Sequence, residues 1–139
     1  MRKKIGYRVR QGFIPFTEGV VEYEGFNTAP TTNVIKKQGD FVIFNFAVLQ
    51  NAMNGSASAK ITIPKEYRPK DNIVIYAQAQ TYGNSLYLTA CWSLTVDAET
   101  GIIEMTAGTS NVISFNISNC GWSTSETHGT IEDDGVIEY

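Results

Sequence analysis

The sequence has little of what metal centres and most catalytic sites require. It contains one histidine and two cysteines among 139 residues, and their positions match no metal-binding spacing. His128 lies among serine, threonine and glycine, whereas a Ser-His-Asp relay needs a buried and oriented histidine. Asp133 and Asp134 are adjacent, which is too few ligands for a calcium cage. We therefore expect no metal, no cofactor and no enzymatic activity.

Long hydrophobic runs are also missing, and the only basic run, Arg2 to Lys4, is expected to be a solvated terminus. The longest apolar run, Phe41 to Leu49, is interrupted by Asn45 and is far shorter than the roughly 20 residues of a membrane span. The 11 basic and 14 acidic residues give a net charge of −3, which argues against nucleic-acid binding. The N-terminus lacks the apolar core of a signal peptide. We expect neither membrane insertion nor a secretion signal.

The two cysteines leave the redox state of the chain open. Cys91 and Cys120 fit either one disulfide or two free thiols. Because nothing in the sequence suggests export through an oxidising compartment, two free thiols are the expectation.

Helical periodicity is absent, and period-two alternation takes its place. The longest example is Leu86 to Val96, in which the even-numbered residues are apolar or small and share one face. Glycine, asparagine, aspartate and proline separate about eight or nine such segments. At the size of one domain, this pattern predicts a jelly-roll-like antiparallel β-sandwich with little or no helix.

One predicted strand differs from the others because both of its faces are apolar. In Phe41 to Leu49, Val42 and Phe44 share one face while Ile43 and Leu49 share the other. This pattern predicts a strand that is buried on both sides, either inside a sandwich or at a subunit interface.

A proline-rich corner separates two other predicted strands. Pro64 removes a backbone donor and ends the first strand, and Pro69 keeps Arg68 extended. The second strand, Ile73 to Tyr76, follows a turn at Asp71 and Asn72. The corner is therefore expected to organise the strands around it.

The corner also carries a family resemblance. Ile-Pro-Lys-Glu-Tyr-Arg-Pro at 63–69 resembles the leucine-proline-x-glycine-tyrosine-arginine-proline corner of head domains in bacteriophage tail fibres and baseplate receptor-binding proteins. Asp97 to Gly101 resembles the hairpin turn of those heads, and Asn33 to Val42 resembles their early pair of strands. The resemblance covers residues 20–118. Glu66 departs from it, because a glycine is common at that position.

The resemblance implies a function as well as a fold. Such a domain is a jelly-roll-like head, usually a homotrimer, at the tip of a phage tail in the virion. It is made in the cytoplasm of the bacterial host, contacts other phage tail proteins and recognises host cell-wall or capsular saccharide. Residues 1–118 would form the head, opening with an N-terminal strand or arm of about 18 residues, and residues 119–139 would add an edge strand or a C-terminal tail. A trimer would explain the two apolar faces of Phe41 to Leu49.

Four residues near turns are the candidates for saccharide binding. Tyr82, Asn84 and Tyr87 surround a predicted turn, and Trp122 lies between Gly121 and Ser123 in a polar stretch. Aromatic faces stack on sugar rings, and amides and hydroxyls bond to sugar hydroxyls. For Trp122 an alternative is packing of the last segment against the body of the domain. Trp92 lies on an apolar stripe and is expected in the core.

Two other functions are compatible with the sequence. The domain could be a structural baseplate or fibre module that binds other virion proteins without a glycan site. A saccharide-cleaving module would need two acidic side chains that face one cleft, and residues distant in the sequence can meet in that way.

Overall fold

The computed structural model describes residues 15–124, and these residues form an all-β fold. The nine strands are β1 (Phe16–Gly19), β2 (Glu22–Glu24), β3 (Thr32–Gln38), β4 (Phe41–Val48), β5 (Ser58–Thr62), β6 (Ile73–Gly83), β7 (Leu86–Val96), β8 (Ile102–Thr106) and β9 (Asn111–Ser123). A single 3-10 turn, Lys65–Tyr67, follows β5. The predicted N-terminal arm up to residue 14, as well as His128, Asp133 and Asp134, lie outside the described residues.

The strands form two antiparallel sheets. A six-stranded sheet has the order β1-β3-β4-β9-β6-β7, and a three-stranded sheet has the order β2-β5-β8. Their apolar faces meet in one core, as in other sandwiches. The prediction of an antiparallel β-sandwich with about eight or nine strands and little helix is therefore confirmed.

Aromatic rings fill the centre of the core. Phe46 is fully buried, and its ring lies 5.4 Å from that of Phe26 and 6.2 Å from those of Phe44 and Phe115, measured between centroids. Other large side chains with no exposed surface come from the inward positions of strands in both sheets: Ile35, Val42, Val48, Ile61, Val96, Ile103 and Ile117. Ile63, which follows β5, is also fully buried. The apolar residues at alternate positions of the strands are therefore the ones that form the core.

The two faces of β4 have different environments. Val42 and Phe44 are fully buried, whereas Phe41 is 51% exposed and Ile43 is 37% exposed. The prediction that this strand is buried on both sides is wrong within one chain at Phe41 and Ile43, whereas Ala47, further along the same face, is only 6% exposed. Burial of the outer face by another copy stays a prediction.

β9 runs past residue 118, where the sequence analysis placed the end of the head. Asn119 has a left-handed φ of 48°, and its backbone N–H donates to Asn45 Oδ1 at 2.8 Å. After this irregularity, β9 continues beside β4 until Phe41 faces Ser123. Residues 119–123 are therefore the end of a paired strand, while the assignment of residues 125–139 stays a prediction.

The proline corner packs against another motif of the family resemblance, the β7–β8 turn. Arg68 is extended, with φ −73° and ψ 148°. Its Nε donates to the carbonyl of Ile63 at 2.9 Å, and its Nη1 donates to the carbonyl of Glu99 at 2.8 Å. Gly101 has φ +76°, and a Cβ there would lie 2.3 Å from the Ile63 carbonyl oxygen. The corner and the β7–β8 turn therefore form one packed unit.

Candidate functional site

Three of the four predicted site residues lie together at the end of the β6–β7 hairpin. Asn84 and Ser85 connect the strands with φ values of 51° and 60°, the left-handed pair of a type I′ turn. The turn places Tyr82 opposite Tyr87, so both side chains project from the same face. We call Tyr82, Asn84 and Tyr87 the tyrosine tip.

The two rings of the tyrosine tip form an exposed aromatic surface. Their centroids are 4.5 Å apart and their planes are inclined by 46°. Tyr87 is 62% exposed and Tyr82 is 37% exposed. Neither hydroxyl bonds to another side chain or carbonyl within residues 15–124. The tip therefore offers ring surface and two phenolic hydroxyls to an external molecule.

A neighbouring turn braces the tip. Gly83 passes so close to the segment before β9 that a Cβ would lie 2.3 Å from Ser110 Oγ. Tyr82 also faces Asn111 in the sheet register. The tip is thus part of the six-stranded sheet rather than a free hairpin, and its rings are held before a ligand arrives.

The outward side of β6 and β7 continues from the tip as a surface without charged side chains. We call it the uncharged face, and its residues are Val74, Tyr76, Gln78, Gln80, Tyr82, Tyr87, Thr89, Cys91, Ser93 and Thr95. The amides of Gln78 and Gln80 are exposed and make no hydrogen bond with the part of the chain that the structure describes. These amides can donate to and accept from a ligand.

A groove lies at the other end of this face. β6 and β9 pair from Tyr82 and Asn111 to Gln78 and Asn116. Beyond that point the two strands line a groove of about 570 Å³, with Tyr76 on one wall and Ser118 on the other. None of the residues that line it is charged. We call it the β6–β9 groove.

Trp122, the fourth predicted site residue, belongs to the core. It is 5% exposed, packs edge-on against Phe44 with a centroid distance of 6.1 Å, and donates its indole N–H to the Tyr67 carbonyl at 2.7 Å. The prediction that Trp122 is an exposed saccharide-binding residue is wrong, because its ring is enclosed between β9 and the proline corner, although it borders the β6–β9 groove. Packing, the alternative considered from the sequence, is what the structure shows. Trp92 is half-buried and packs against the core, with its ring 5.9 Å from that of Phe115 and inclined by 52°.

Two acidic side chains line another groove, but one of them has a structural role. Asp97 and Glu104 border a groove of about 480 Å³. Asp97 Oδ1 accepts hydrogen bonds from the backbone N–H groups of Thr100 and Glu99, both at 2.9 Å. The Thr100 N–H is the largest cause that lowers the pKa of Asp97. A carboxylate held ionised in a turn is poorly suited to act as a general acid.

The charged residues of the three-stranded sheet face one another. Lys60 Nζ lies 3.9 Å from Glu24 Oε2, and Lys60 faces Glu104 across β5 and β8.

Among residues 15–124, no three histidine, cysteine or acidic side chains are grouped so that they could hold a metal ion. In the same range, no helix is long and apolar enough to cross a membrane.

Both cysteines are free thiols. Cys91 is exposed on β7, and Cys120 is half-buried on β9. β6 lies between these two strands in the sheet. Burial raises the pKa of the Cys120 thiol. Of the two alternatives that the sequence left open, the structure contains the pair of free thiols.

Tyr76, Gln78 and Gln80 were not among the predicted site residues. Their signal was present, because alternate positions of β6 lack charge while their neighbours are apolar. The β6–β9 groove had no such signal, since it depends on where pairing between distant strands stops.

The chain was compared with protein-family models and with curated proteins. No protein-family model matches the chain, and no curated protein matches it.

Proposed function

We propose that this chain is the receptor-binding head of a bacteriophage tail protein, located at the tail tip of the virion, and that its tyrosine tip binds host cell-surface saccharide. The observation that carries the proposal is the pairing of Tyr82 with Tyr87 at 4.5 Å beside an exposed asparagine. Fold alone does not give function, so the proposal depends on this site. The head acts by adhesion and not by catalysis.

The chemistry of the tip suits sugars. A sugar ring has an apolar C–H face and a rim of hydroxyls. Tyrosine rings stack on such faces, while the Asn84 amide both donates and accepts hydrogen bonds. A tip that is braced by Ser110 loses little conformational entropy on binding.

The proline corner gives a second, weaker support. Two of the three motifs that resemble phage head domains, the corner and the β7–β8 turn, are distant in the sequence. Arg68 hydrogen-bonds to the carbonyl of Glu99 in that turn at 2.8 Å. Two motifs that pack into one unit are more informative than two isolated matches.

We further propose a homotrimer. Phe16, Phe41 and Ile43 are exposed on the outer face of β1 and β4, with Lys36 Nζ 5.8 Å from the Phe16 ring centroid. Exposed apolar groups of this kind favour association with another surface. Mass measurement in solution tests this proposal, with three copies expected and a single copy contradicting it.

The exposed apolar residues Phe16, Phe41 and Ile43 also favour a second candidate function, in which the domain is a structural module that binds other virion proteins. Ile43→Ser separates the two: an adhesion head with this change should associate more weakly with its own copies and still bind saccharide, whereas a structural module should lose binding to its neighbouring tail protein. Tight binding of wild-type protein to a neighbouring tail protein, with no binding to any cell-wall preparation, would favour the structural module.

The adhesion proposal is tested by adsorption of the full chain to bacterial cells and purified wall polysaccharides. Tyr87→Ala should weaken adsorption about tenfold, because loss of one stacking ring removes on the order of 1.4 kcal/mol. Tyr87→Phe is the control, because it keeps the ring and should keep most of the binding. Equal adsorption by folded Tyr87→Ala and wild-type protein would contradict the proposal.

A further inference from the structure

We propose that the ligand of the tyrosine tip is an uncharged oligosaccharide that follows β6 from the tip to the β6–β9 groove, which acts as a second subsite. This inference rests on the proposed function and specifies its ligand. It concerns the charge of the ligand, its length and the residues that it contacts beyond the tip.

The charge of the ligand follows from the uncharged face. None of its ten residues carries a carboxylate, ammonium or guanidinium group. Anionic polymers are usually recognised by arginine and lysine through charge-assisted hydrogen bonds. The outward side of the three-stranded sheet shows the contrast, because it includes Glu22, Glu24, Lys60 and Glu104. An uncharged ligand needs no opposite charge and fits the face as it is.

The length of the ligand follows from the geometry of β6. Tyr82, Gln80, Gln78 and Tyr76 project on the same side at alternate positions. With a rise of about 3.4 Å per residue, Tyr82 and Tyr76 are roughly 20 Å apart along the strand. This span exceeds a single sugar ring. Two unpaired amides between two exposed tyrosines would therefore contact successive units of an oligosaccharide.

Beyond Tyr76, the uncharged face ends at the β6–β9 groove, which is concave and also lacks charged residues. The β6–β9 groove combines the apolar side chains of Val74 and Trp122 with the hydroxyls of Ser118 and Ser123. Three other grooves, bordered by described residues, each include charged side chains, among them Glu24, Asp97 and Arg68. Apolar walls with a few polar groups are typical of small-molecule subsites.

The first arm of the test measures binding against ligand length. Neutral oligosaccharides from disaccharide to hexasaccharide, prepared from a wall polysaccharide that binds the full chain, are titrated by calorimetry. Wild-type affinity should rise with length until the groove is filled. Tyr76→Ala should lower the affinity of the longest member about tenfold and leave the disaccharide unchanged, whereas Tyr82→Ala should weaken both.

Controls separate a subsite from an unrelated change. Leu49 is exposed to a similar degree but lies off this face, so Leu49→Ala should bind every member like wild type. Gln80→Ala should weaken the longer members, and Gln50→Ala, which removes an exposed amide elsewhere, should not. If Tyr76→Ala changes the mass in solution and leaves the affinities unchanged, the face is an interface between copies and the inference is wrong.

The second arm tests the charge of the ligand. Binding of an uncharged oligosaccharide should change less than about twofold between low and high salt, since no ion pair is screened. An anionic wall polymer that binds more tightly than any neutral oligosaccharide, and weakens with salt, would overturn the inference and leave adhesion standing. Absence of binding to any saccharide would overturn the proposed function together with the inference.

Discussion

At the proline corner, Trp122 and Arg68 direct their donors at backbone carbonyls of the same chain. At the tyrosine tip, Tyr82 and Tyr87 offer their hydroxyls and ring surface to the outside. Both regions are rich in aromatic and polar residues. Such residues serve the fold where their donors satisfy backbone carbonyls, as at the corner, and are available to a ligand where the strand pairing turns their side chains outward, as at the tip.

The largest expected effect is loss of the corner's buried ring. Trp122→Ala should lower the free energy of unfolding by about 3–5 kcal/mol, because it opens a cavity beside Phe44 and removes the donor to Tyr67. Urea denaturation measures the change. If the variant instead kept wild-type stability and lost saccharide binding, the contrast between corner and tip would be broken.

A smaller effect is expected where the corner meets the β7–β8 turn. Gly101→Ala should cost on the order of 2–3 kcal/mol, because it adds a close contact with Ile63 to an unfavourable φ of +76°. Gly39→Ala has a φ of +61° with no atom within 4 Å of the new Cβ, and should cost about 1 kcal/mol. Gly108→Ala, with neither problem, is the control. Equal unfolding free energies for all three variants would contradict this account of the turn.

The next prediction concerns the acid stability of the same turn. Because the folded-state pKa of Asp97 is below its ordinary value of 3.8, ionised Asp97 stabilises the fold above pH 3.8 and loses that contribution as pH falls through the lowered value. Asp97→Asn keeps an Oδ1 acceptor but does not titrate. The unfolding temperature of this variant should therefore fall less steeply with decreasing pH than that of the wild-type protein. Thermal unfolding across pH 2–5 measures it. An unchanged slope would show that this carboxylate does not contribute.

The smallest effect is a difference in thiol reactivity between the two regions. Cys91 lies on the uncharged face, whereas burial raises the pKa of Cys120 near the corner. Alkylation requires the thiolate, so iodoacetamide should modify Cys91 first in the folded protein. Mass spectrometry of digests follows both sites. Faster modification of Cys120 would indicate that the end of β9 is more open than the structure shows.

Much of the fold could be predicted because alternation reports directly on burial. Val42 and Phe44 occupy the inward face as their spacing indicates. The outer face of β4 could not be judged in this way, since apolar residues at Phe41 and Ile43 do not tell how many layers cover a strand. The contact between Arg68 and Glu99 depends on residues that are distant in the sequence, and no local pattern reports it.

The sequence allowed the residues of the tyrosine tip to be predicted, but it did not reveal the burial of Trp122. Asn84 marks a turn, and tyrosines on either side of a turn must meet across the hairpin. Trp122 was assigned to the surface because its neighbours are polar. Its burial follows from the register of β9 against β4, where Trp122 faces the inward residue Val42, and that register is set by pairing rather than by composition.

The most direct test of the account is the affinity of Tyr82→Ala/Tyr87→Ala for a wall polysaccharide that binds the wild-type chain. The account predicts a loss of at least about tenfold with an unfolding midpoint close to wild type, because both rings are exposed and outside the core. Undiminished affinity in the folded double variant would contradict it and would move the binding site away from the tyrosine tip.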